Sequence, residues 1–215
     1  MEKILQANGR SEALVRTGYT ATEESFKQIG QAGPSPHILH VATHGFFFPD
    51  PAPSSAVRPS TLGEDWGEGG VFRISEHPMI RSGLILAGAN QVWKGGKPLA
   101  NTEDGILTAY EISQMNLSNT ELVVLSACET GLGDIQGNEG VYGLQRAFKI
   151  AGAKYLVMSL WQVPDRPTQE MMALFYENWL EQKSSIPDAF RVAQDEMRAR
   201  YPDEPYKWAG FVLVE

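Results

Sequence analysis

Five short, mainly apolar runs, each bounded by turn-forming or polar residues, constrain the fold of this chain more than any other feature. They lie at 38–42, 83–87, 122–125, 155–160 and 211–214. Their length and apolar character are typical of strands buried on both faces, as in a parallel sheet. Helical patterns separate the runs, and strands that alternate with helices predict an α/β fold. We therefore expect a three-layer α/β/α sandwich with a mostly parallel central sheet.

Four segments between the runs carry the signals of helix ends. The predicted helices span 22–29, 138–150, 168–180 and 187–200. Thr22 suits the N-cap of the first helix, where its hydroxyl can accept a backbone N–H. Asn138 is a candidate cap for the second helix, and Gly152 is placed to stop it. The last two helices are amphipathic and have Pro167 and Pro187 near their first turns.

Composition narrows the class of protein. The 215 residues include 42% hydrophobic and 20% charged side chains, which fits a single globular domain over 1–215. The formal net charge of -8, without blocks of lysine or arginine, disfavours binding to nucleic acid or to an anionic membrane surface. No apolar stretch has the length of a signal peptide core or a membrane span, so we expect a cytoplasmic protein.

Two segments depart from the alternating pattern. The stretch 49–70 is rich in proline, glycine and serine and has almost no apolar periodicity, so we expect a flexible surface loop. The stretch before Thr22 leaves little room for a first strand. This favours the interpretation that the chain is the C-terminal part of a longer protein.

The candidate chemistry lies where two predicted strands end. His44 follows the first run and Cys128, the one cysteine of the chain, follows the third. Ligands of open α/β sheets bind beyond the carboxyl ends of the strands. If these two strands are parallel neighbours, both side chains emerge at one edge, where the imidazole can activate the thiol as a nucleophile. The amides of Gly45, which has no Cβ, and of Cys128 itself are candidate oxyanion donors. This arrangement predicts a cysteine hydrolase.

Simpler roles exist for the same residues. A lone cysteine after an apolar run is most often a core residue, although the glycines of 131–137 place Cys128 at a strand-to-loop transition. We expect His37 and His40 to pack or to form hydrogen bonds in or before the first strand. A metal site built from these two and His44 lacks the spacing of a zinc motif.

The glycine-rich stretch 131–140 precedes a predicted helix, which invites a nucleotide-binding alternative. It lacks the Gly-Lys-Ser/Thr of a phosphate loop, and no Gly-x-Gly-x-x-Gly follows a strand. No Gly-x-Ser-x-Gly elbow of a serine hydrolase is present either. The sequence predicts neither a metal nor an organic cofactor.

Six strings, in order along the chain, resemble the motifs of CHAT domains. They are HVATHGFF (40–47), SGLILAGAN (82–90), DGILTAYEI (104–112), LSACETGLG (125–133), SLWQVPD (159–165) and WAGFVL (208–213). CHAT domains are caspase-like proteases that are often fused behind tetratricopeptide repeats. The resemblance, which spans Thr20 to the C-terminus, therefore implies a caspase-hemoglobinase-like fold and a cysteine endopeptidase with a protein substrate.

The resemblance also implies roles for individual residues. By motif position, His44 and Cys128 would form the catalytic dyad, and Gly45 would donate to the oxyanion. Separases, which belong to the same clan, carry acidic residues just after the matching Leu-Trp strand and cleave after arginine. Asp165 is thus a candidate for the floor of the S1 pocket, which would select a basic side chain by charge-assisted pairing.

Asp104 and Glu103 are rival S1 candidates, and two of the three acidic residues have plausible structural roles. Asp165 could cap the helix that starts near Pro167. Asp104 could be a turn residue before Gly105. For both residues, we keep the structural and the substrate-binding role open.

Two departures from the family pattern and the 49–70 loop bear on function. The chain has no repeats, so we expect a tetratricopeptide-repeat region or another regulatory partner to be supplied from elsewhere. Arg166-Pro167 stands where the family commonly has acidic or small residues, which leaves the S1 assignment open. Arg58 and Arg73 are candidate processing points near the loop.

The alternative to an endopeptidase is a latent or non-catalytic caspase-like module that signals through partner binding.

Overall fold

The computed structural model describes residues 14–48, 75, 77–94, 96, 102–126 and 139–215, with side chains from 143 onward in the last range. The strands are β1 (Ile38–Val41), β2 (His44–Phe47), β3 (Ser82–Ile85), β4 (Ile106–Thr108), β5 (Leu122–Leu125), β6 (Tyr155–Ser159) and β7 (Phe211–Val214). The helices are α1 (Glu23–Lys27), α2 (Ala89–Trp93), α3 (Ala109–Ser113), α4 (Glu139–Ile150), α5 (Asp165–Tyr176) and α6 (Ile186–Arg200). Cys128, Asn138, Arg58, Arg73 and the segment 49–70 lie outside the described residues.

The main sheet has four strands in the order β1-β5-β6-β7. The first three are parallel, and β7 pairs antiparallel with β6. Parallel neighbours need a crossover connection: the one from β1 to β5 holds β2–β4 with α2 and α3, and the one from β5 to β6 holds α4. The predicted α/β class with a parallel-rich sheet is confirmed.

Helices cover both faces of the main sheet. Side chains alternate along each strand, so successive residues of β5 enter different cores. Leu122 and Val124 pack with α5 and α6, in a core that includes Met171, Phe175 and Ala193. Val123 and Leu125 pack with α3 and α4, in a core that includes Ile112, Ala147 and Phe148. These two cores make the three layers of the sandwich.

The run at 83–87 does not join the parallel sheet as its pattern predicted. It forms β3, the centre of a second sheet in the order β2-β3-β4, and both of its pairings are antiparallel. Both faces of β3 are nevertheless covered, because Leu84 packs in the core with α4 and Ile85 packs against Phe46. Burial on two faces produces the same apolar run whichever way the neighbouring strands run.

Several predicted helix ends are confirmed. The Thr22 hydroxyl caps α1 by accepting the Ser25 N–H at 3.2 Å. After α4, Gly152 has a φ of +105°, which only glycine adopts without strain. The helix expected over 187–200 is α6, and Ser185 caps it by accepting the Asp188 N–H.

The start of α5 differs from prediction, and Asp165 is not its N-cap. Pro164 occupies the cap position with an extended ψ of 148°, and its carbonyl accepts the Thr168 N–H at 3.1 Å. Asp165 is therefore the first helical residue, and Pro167 falls in the first turn, where a missing N–H breaks no intrahelical bond. An acidic side chain in the first turn still interacts favourably with the helix dipole.

One further property of the fold concerns membranes. In the described part of the chain, no helix combines the length and the apolar character that crossing a bilayer requires.

Candidate active site

The carboxyl ends of β1, β5 and β6 meet at one edge of the main sheet. Val41 is level with Leu125, and Leu125 is level with Met158. Beyond the strands, the Ser126 N–H still donates to the Val41 carbonyl at 3.0 Å. The segment that leads to Cys128 therefore leaves the sheet beside the segment that leads to His44, with β5 between β1 and β6. The parallel adjacency of β1 and β5, on which the sequence hypothesis depended, is confirmed.

His44 is held at the start of β2 and not at the end of β1. His44 pairs with Ile85 of β3 in the second sheet. Thr43 is also bound to β3, because its hydroxyl donates to the Ile85 carbonyl. The His44 side chain is exposed, so a substrate or a thiol can approach its imidazole. Gly45 follows in β2, buried and opposite Leu84.

A chain of hydrogen-bonding side chains lies beneath this edge, on the face covered by α5. His40 Nδ1 is 3.0 Å from the hydroxyl of Tyr176, and His40 Nε2 is 3.5 Å from the hydroxyl of Ser126. The Ser126 hydroxyl is also 3.4 Å from the Val41 carbonyl. Burial lowers the pKa of His40 to about 4, so this imidazole is neutral at physiological pH. The expectation that His40 forms hydrogen bonds in the strand is confirmed.

Asp104 and Glu103 form a turn that leads into β4. The Asp104 carboxylate accepts the Ile106 N–H at 2.8 Å, and Gly105 has a φ of +79°. The turn role foreseen for Asp104 is thus confirmed. Glu103 donates its N–H to the Glu24 carboxylate at 2.6 Å, and its own carboxylate is 3.4 Å from Lys27 Nζ. Both acidic side chains therefore already have partners within the fold.

Lys27 is the centre of a charged group that we call the Lys27 cluster, formed with Glu23, Glu103 and Glu111. Its Nζ is 2.5 Å from the Glu23 carboxylate and 2.6 Å from that of Glu111. Glu23 is almost completely buried and also accepts the Gly105 N–H at 2.8 Å. The cluster thereby ties α1 and α3 to the turn before β4. Sequence reasoning missed it, because its members lie in three separate segments.

Ionisation in the Lys27 cluster is shifted by burial and by pairing. Burial raises the pKa of Glu23 to about 7, although Lys27 acts in the opposite direction. Burial would also raise the pKa of Glu111, but hydrogen bonds from Lys27 and Thr108 hold it below its ordinary value. Burial by itself lowers the pKa of Lys27, yet its bonds to Glu111 and Glu23 raise it overall. Lys27 is therefore a permanent cation.

Asp165 lies at the same edge as the ends of β5 and β6, beyond Ser159. Its side chain is exposed, and among the described residues its carboxylate has no hydrogen-bond or ion-pair partner. The neighbouring Arg166 does not neutralise it, since the Arg166 guanidinium pairs with Glu170 at 3.1 Å. The Ser159 hydroxyl is buried at the end of β6, and it too has no partner within the described part of the chain. Of the three S1 candidates, Asp165 is the one with an available carboxylate.

Hydrogen bonds of Leu160 and Trp161 fix the end of β6, in the segment that leads to Asp165. The Leu160 N–H donates to the Gly210 carbonyl at 2.8 Å, and the Trp161 indole donates to the Tyr206 carbonyl at 2.9 Å. The Leu160 side chain is 40% exposed and that of Tyr206 is 49% exposed. Two exposed apolar or aromatic side chains thus belong to the segments that hydrogen-bond at the end of β6.

The architecture and the comparisons with known proteins define one class, the caspase-like α/β/α proteins. The CHAT domain family model matches residues 1–215, and the chain belongs to the CHAT family. Tetratricopeptide repeat protein 28 of Mus musculus is 33% identical over 112 residues, and the Homo sapiens protein of that name is 31% identical over 112 residues. Each alignment covers 51% of this chain and 4% of the relative, so the chain spans a small fraction of these proteins.

Proposed function

We propose that this CHAT domain is a cysteine endopeptidase that cleaves a protein partner by acyl transfer. The observation that supports it most is the parallel pairing of β1 with β5, with Val41 level with Leu125. His44 lies three residues beyond the first of these positions, and Cys128 lies three residues beyond the second. Adjacent strands are about 4.8 Å apart, so the two segments leave the sheet side by side, which supports a proton transfer between the two side chains.

The proposed reaction uses the chemistry that each residue supplies. His44 accepts the proton of the Cys128 thiol, and the thiolate attacks the scissile carbonyl. The exposed imidazole of His44 then protonates the leaving amine, and water releases the acyl group from the sulfur. The amides of Gly45 and Cys128 are the proposed donors to the oxyanion. Gly45 is suited to this role because a glycine allows the closest approach of a carbonyl oxygen.

We further propose that Asp165 selects a basic P1 side chain. β6 lies beside β5 on the side away from β1, so the proposed site would have His44 beyond β1, Asp165 beyond β6 and the segment that follows β5 between them. A guanidinium that enters beside β6 would find the exposed carboxylate of Asp165, which can accept its N–H groups. Glu103 and Asp104 are weaker candidates because their carboxylates already have partners.

The test is active-site labelling of the full chain with a peptidyl-arginine acyloxymethyl ketone. We expect labelling at Cys128 in the wild-type protein and its loss in Cys128→Ala. His44→Ala should reduce the labelling rate at least a hundredfold, because the thiol loses its base. His37→Ala is the matched control, since this histidine is exposed and precedes β1. Labelling that is unchanged in His44→Ala would contradict the dyad.

The same variants define the substrate. N-terminal profiling of a proteome digested by the wild-type chain should give new termini that follow arginine and that Cys128→Ala does not produce. The unfolding midpoint of each variant, measured by circular dichroism, should match that of the wild type. Cleavage retained by a folded Cys128→Ala protein would overturn the peptidase assignment.

The alternative is a latent or non-catalytic module that acts through a partner. The names of both relatives refer to tetratricopeptide repeats, which favours such a repeat region as the partner. A latent peptidase would label at Cys128 only after a repeat region is added. A non-catalytic module would bind that region with no labelling in either condition.

A further inference from the structure

The three side chains under the active-site edge connect elements that are far apart in sequence. Tyr176 is the last residue of α5, His40 is in β1, and Ser126 directly follows β5. Tyr176 and His40 are 136 residues apart, yet their polar atoms are 3.0 Å apart. Tyr176 is fully buried among Phe175, Trp179 and other core residues. We call these three residues the polar chain.

The protons of the polar chain can be assigned from the number of donors and acceptors. Burial raises the pKa of the Tyr176 hydroxyl, which therefore keeps its proton, and the neutral His40 ring has one donor and one acceptor nitrogen. If Tyr176 donates to Nδ1, then Nε2–H donates to Ser126 and the Ser126 hydroxyl donates to the Val41 carbonyl. All three protons are then used.

The opposite direction leaves a buried donor unsatisfied. Ser126 would donate to Nε2 and Nδ1–H would donate to Tyr176, whose own proton would have no acceptor among the described residues. An unmade hydrogen bond of a buried hydroxyl costs about 1–3 kcal/mol. The assignment with the His40 proton on Nε2 is therefore favoured, and in it the Val41 carbonyl is the last acceptor of the polar chain.

Two members of the polar chain are close in sequence to the residues of the proposed dyad. His40 is four residues before His44, and Ser126 is two residues before Cys128. The Val41 carbonyl also accepts the Ser126 N–H, so both backbone and side chain of Ser126 are fixed to β1. The segment that carries the thiol is thus tied to the segment that carries the imidazole, and both are tied to α5.

We propose that Tyr176, His40 and Ser126 are positioning residues that set the relative placement of His44 and Cys128. This inference rests on the proposed peptidase function. In this proposal the three residues act through the dyad and not on the substrate. They act by fixing β1 and the start of the segment after β5 to each other and to α5, which would keep the approach of the His44 imidazole to the Cys128 thiol constant. A misplacement of about 1 Å between catalytic groups can cost up to a hundredfold in rate.

The experiment is the pH profile of Cys128 alkylation by iodoacetamide in the full chain, which has one cysteine. Tyr176→Phe and Ser126→Ala each remove one hydroxyl of the polar chain. The matched controls are Tyr201→Phe, which removes a hydroxyl bonded to Glu170 at 2.9 Å, and Ser113→Ala, which removes one bonded to the Tyr110 carbonyl. Unfolding in urea is measured for all four.

We expect both polar-chain variants to lower the alkylation rate at pH 7 about tenfold and to move the midpoint of the profile toward the ordinary thiol pKa of about 8.5. The controls should leave the profile unchanged. If Tyr176→Phe does not fold, Ser126→Ala decides, because Ser126 lies at the edge and is only half-buried. Profiles of folded variants that superimpose on the wild type would overturn the positioning role.

Two further outcomes separate this inference from the function on which it rests. A wild-type profile that His44→Ala does not change would overturn the dyad and the positioning role together. A profile that depends on His44 but not on the polar chain would overturn the positioning role alone. Nitrogen-15 NMR of the wild-type protein should find His40 protonated at Nε2 and not at Nδ1 at pH 7. The reverse tautomer would also contradict the inference.

Discussion

The polar chain and the Lys27 cluster place polar groups inside the same domain by opposite means. The polar chain is neutral, and its protons are assigned so that each group donates to the next as far as a backbone carbonyl. The Lys27 cluster is charged and joins one cation to three carboxylates. The first lies under the edge where the dyad segments leave the sheet, and the second fixes a turn in the second sheet. Acidic residues near a candidate site can therefore be structural, and neutral ones can serve the site.

The largest expected effect comes from removing the cation of the Lys27 cluster. Lys27→Met keeps the length of the side chain but leaves the buried Glu23 and the half-buried Glu111 without their counter-ion. We expect the free energy of unfolding at pH 8 to fall by about 2–4 kcal/mol, because breaking a buried ion pair leaves an uncompensated charge. Urea unfolding measures this loss. Arg191→Met, which breaks an exposed pair with Asp188, should change little by comparison.

The second prediction contrasts Asp165, near the end of β6, with Glu103 of the Lys27 cluster. Asp165→Asn should lower kcat/KM for an arginyl peptide about a hundredfold, since the neutral amide loses the charge-assisted pairing with the guanidinium. Glu103→Gln should change kcat/KM little, because its carboxylate faces Lys27. Steady-state assays of a fluorogenic arginyl peptide compare the two variants. An equal loss in both, or a loss in Glu103→Gln alone, would reassign the S1 carboxylate.

The third and smallest effect is a pH dependence of stability from Glu23. Its pKa is raised from 4.5 to about 7 in the folded state, so folding takes up a proton between these values. The free energy of unfolding should therefore decrease as the pH rises from about 5 to 7, and this contribution should level off above 7. Contact of the cluster with water limits the change to about 1–2 kcal/mol.

The matched variants for this pH dependence are Glu23→Gln and Glu24→Gln. Glu23→Gln resembles the protonated carboxyl, so its unfolding free energy should lose the downward slope between pH 5 and 7. Glu24→Gln, which alters a partly exposed neighbour on the same helix, should keep the slope. Urea unfolding at half-unit pH intervals makes the comparison. A slope that survives in Glu23→Gln would assign the titration to another group.

The comparison of sequence with structure shows which local signals suffice. The Thr22 and Ser185 caps, the glycine after α4 and the β1, β5 and β6 strands follow from patterns within a few residues. The start of α5 was misplaced because Asp165 before Pro167 resembles a cap, whereas Pro164 takes the cap position with an extended ψ. For the turn at Asp104, the Asp-Gly pair was a sufficient signal.

The amino-acid sequence by itself determined the class of fold, most element positions and the candidate dyad at two strand ends, since these depend on local periodicity and on residue chemistry. Tertiary structure decided the rest. An apolar run does not specify whether the neighbouring strands are parallel or antiparallel. The membership of β3 in the second, antiparallel sheet was therefore not predicted. Local patterns in the sequence also do not indicate that Tyr176 contacts His40, or that Lys27 contacts Glu111. Such contacts depend on how distant segments pack, because a buried polar group is stabilised only where the fold places a partner beside it.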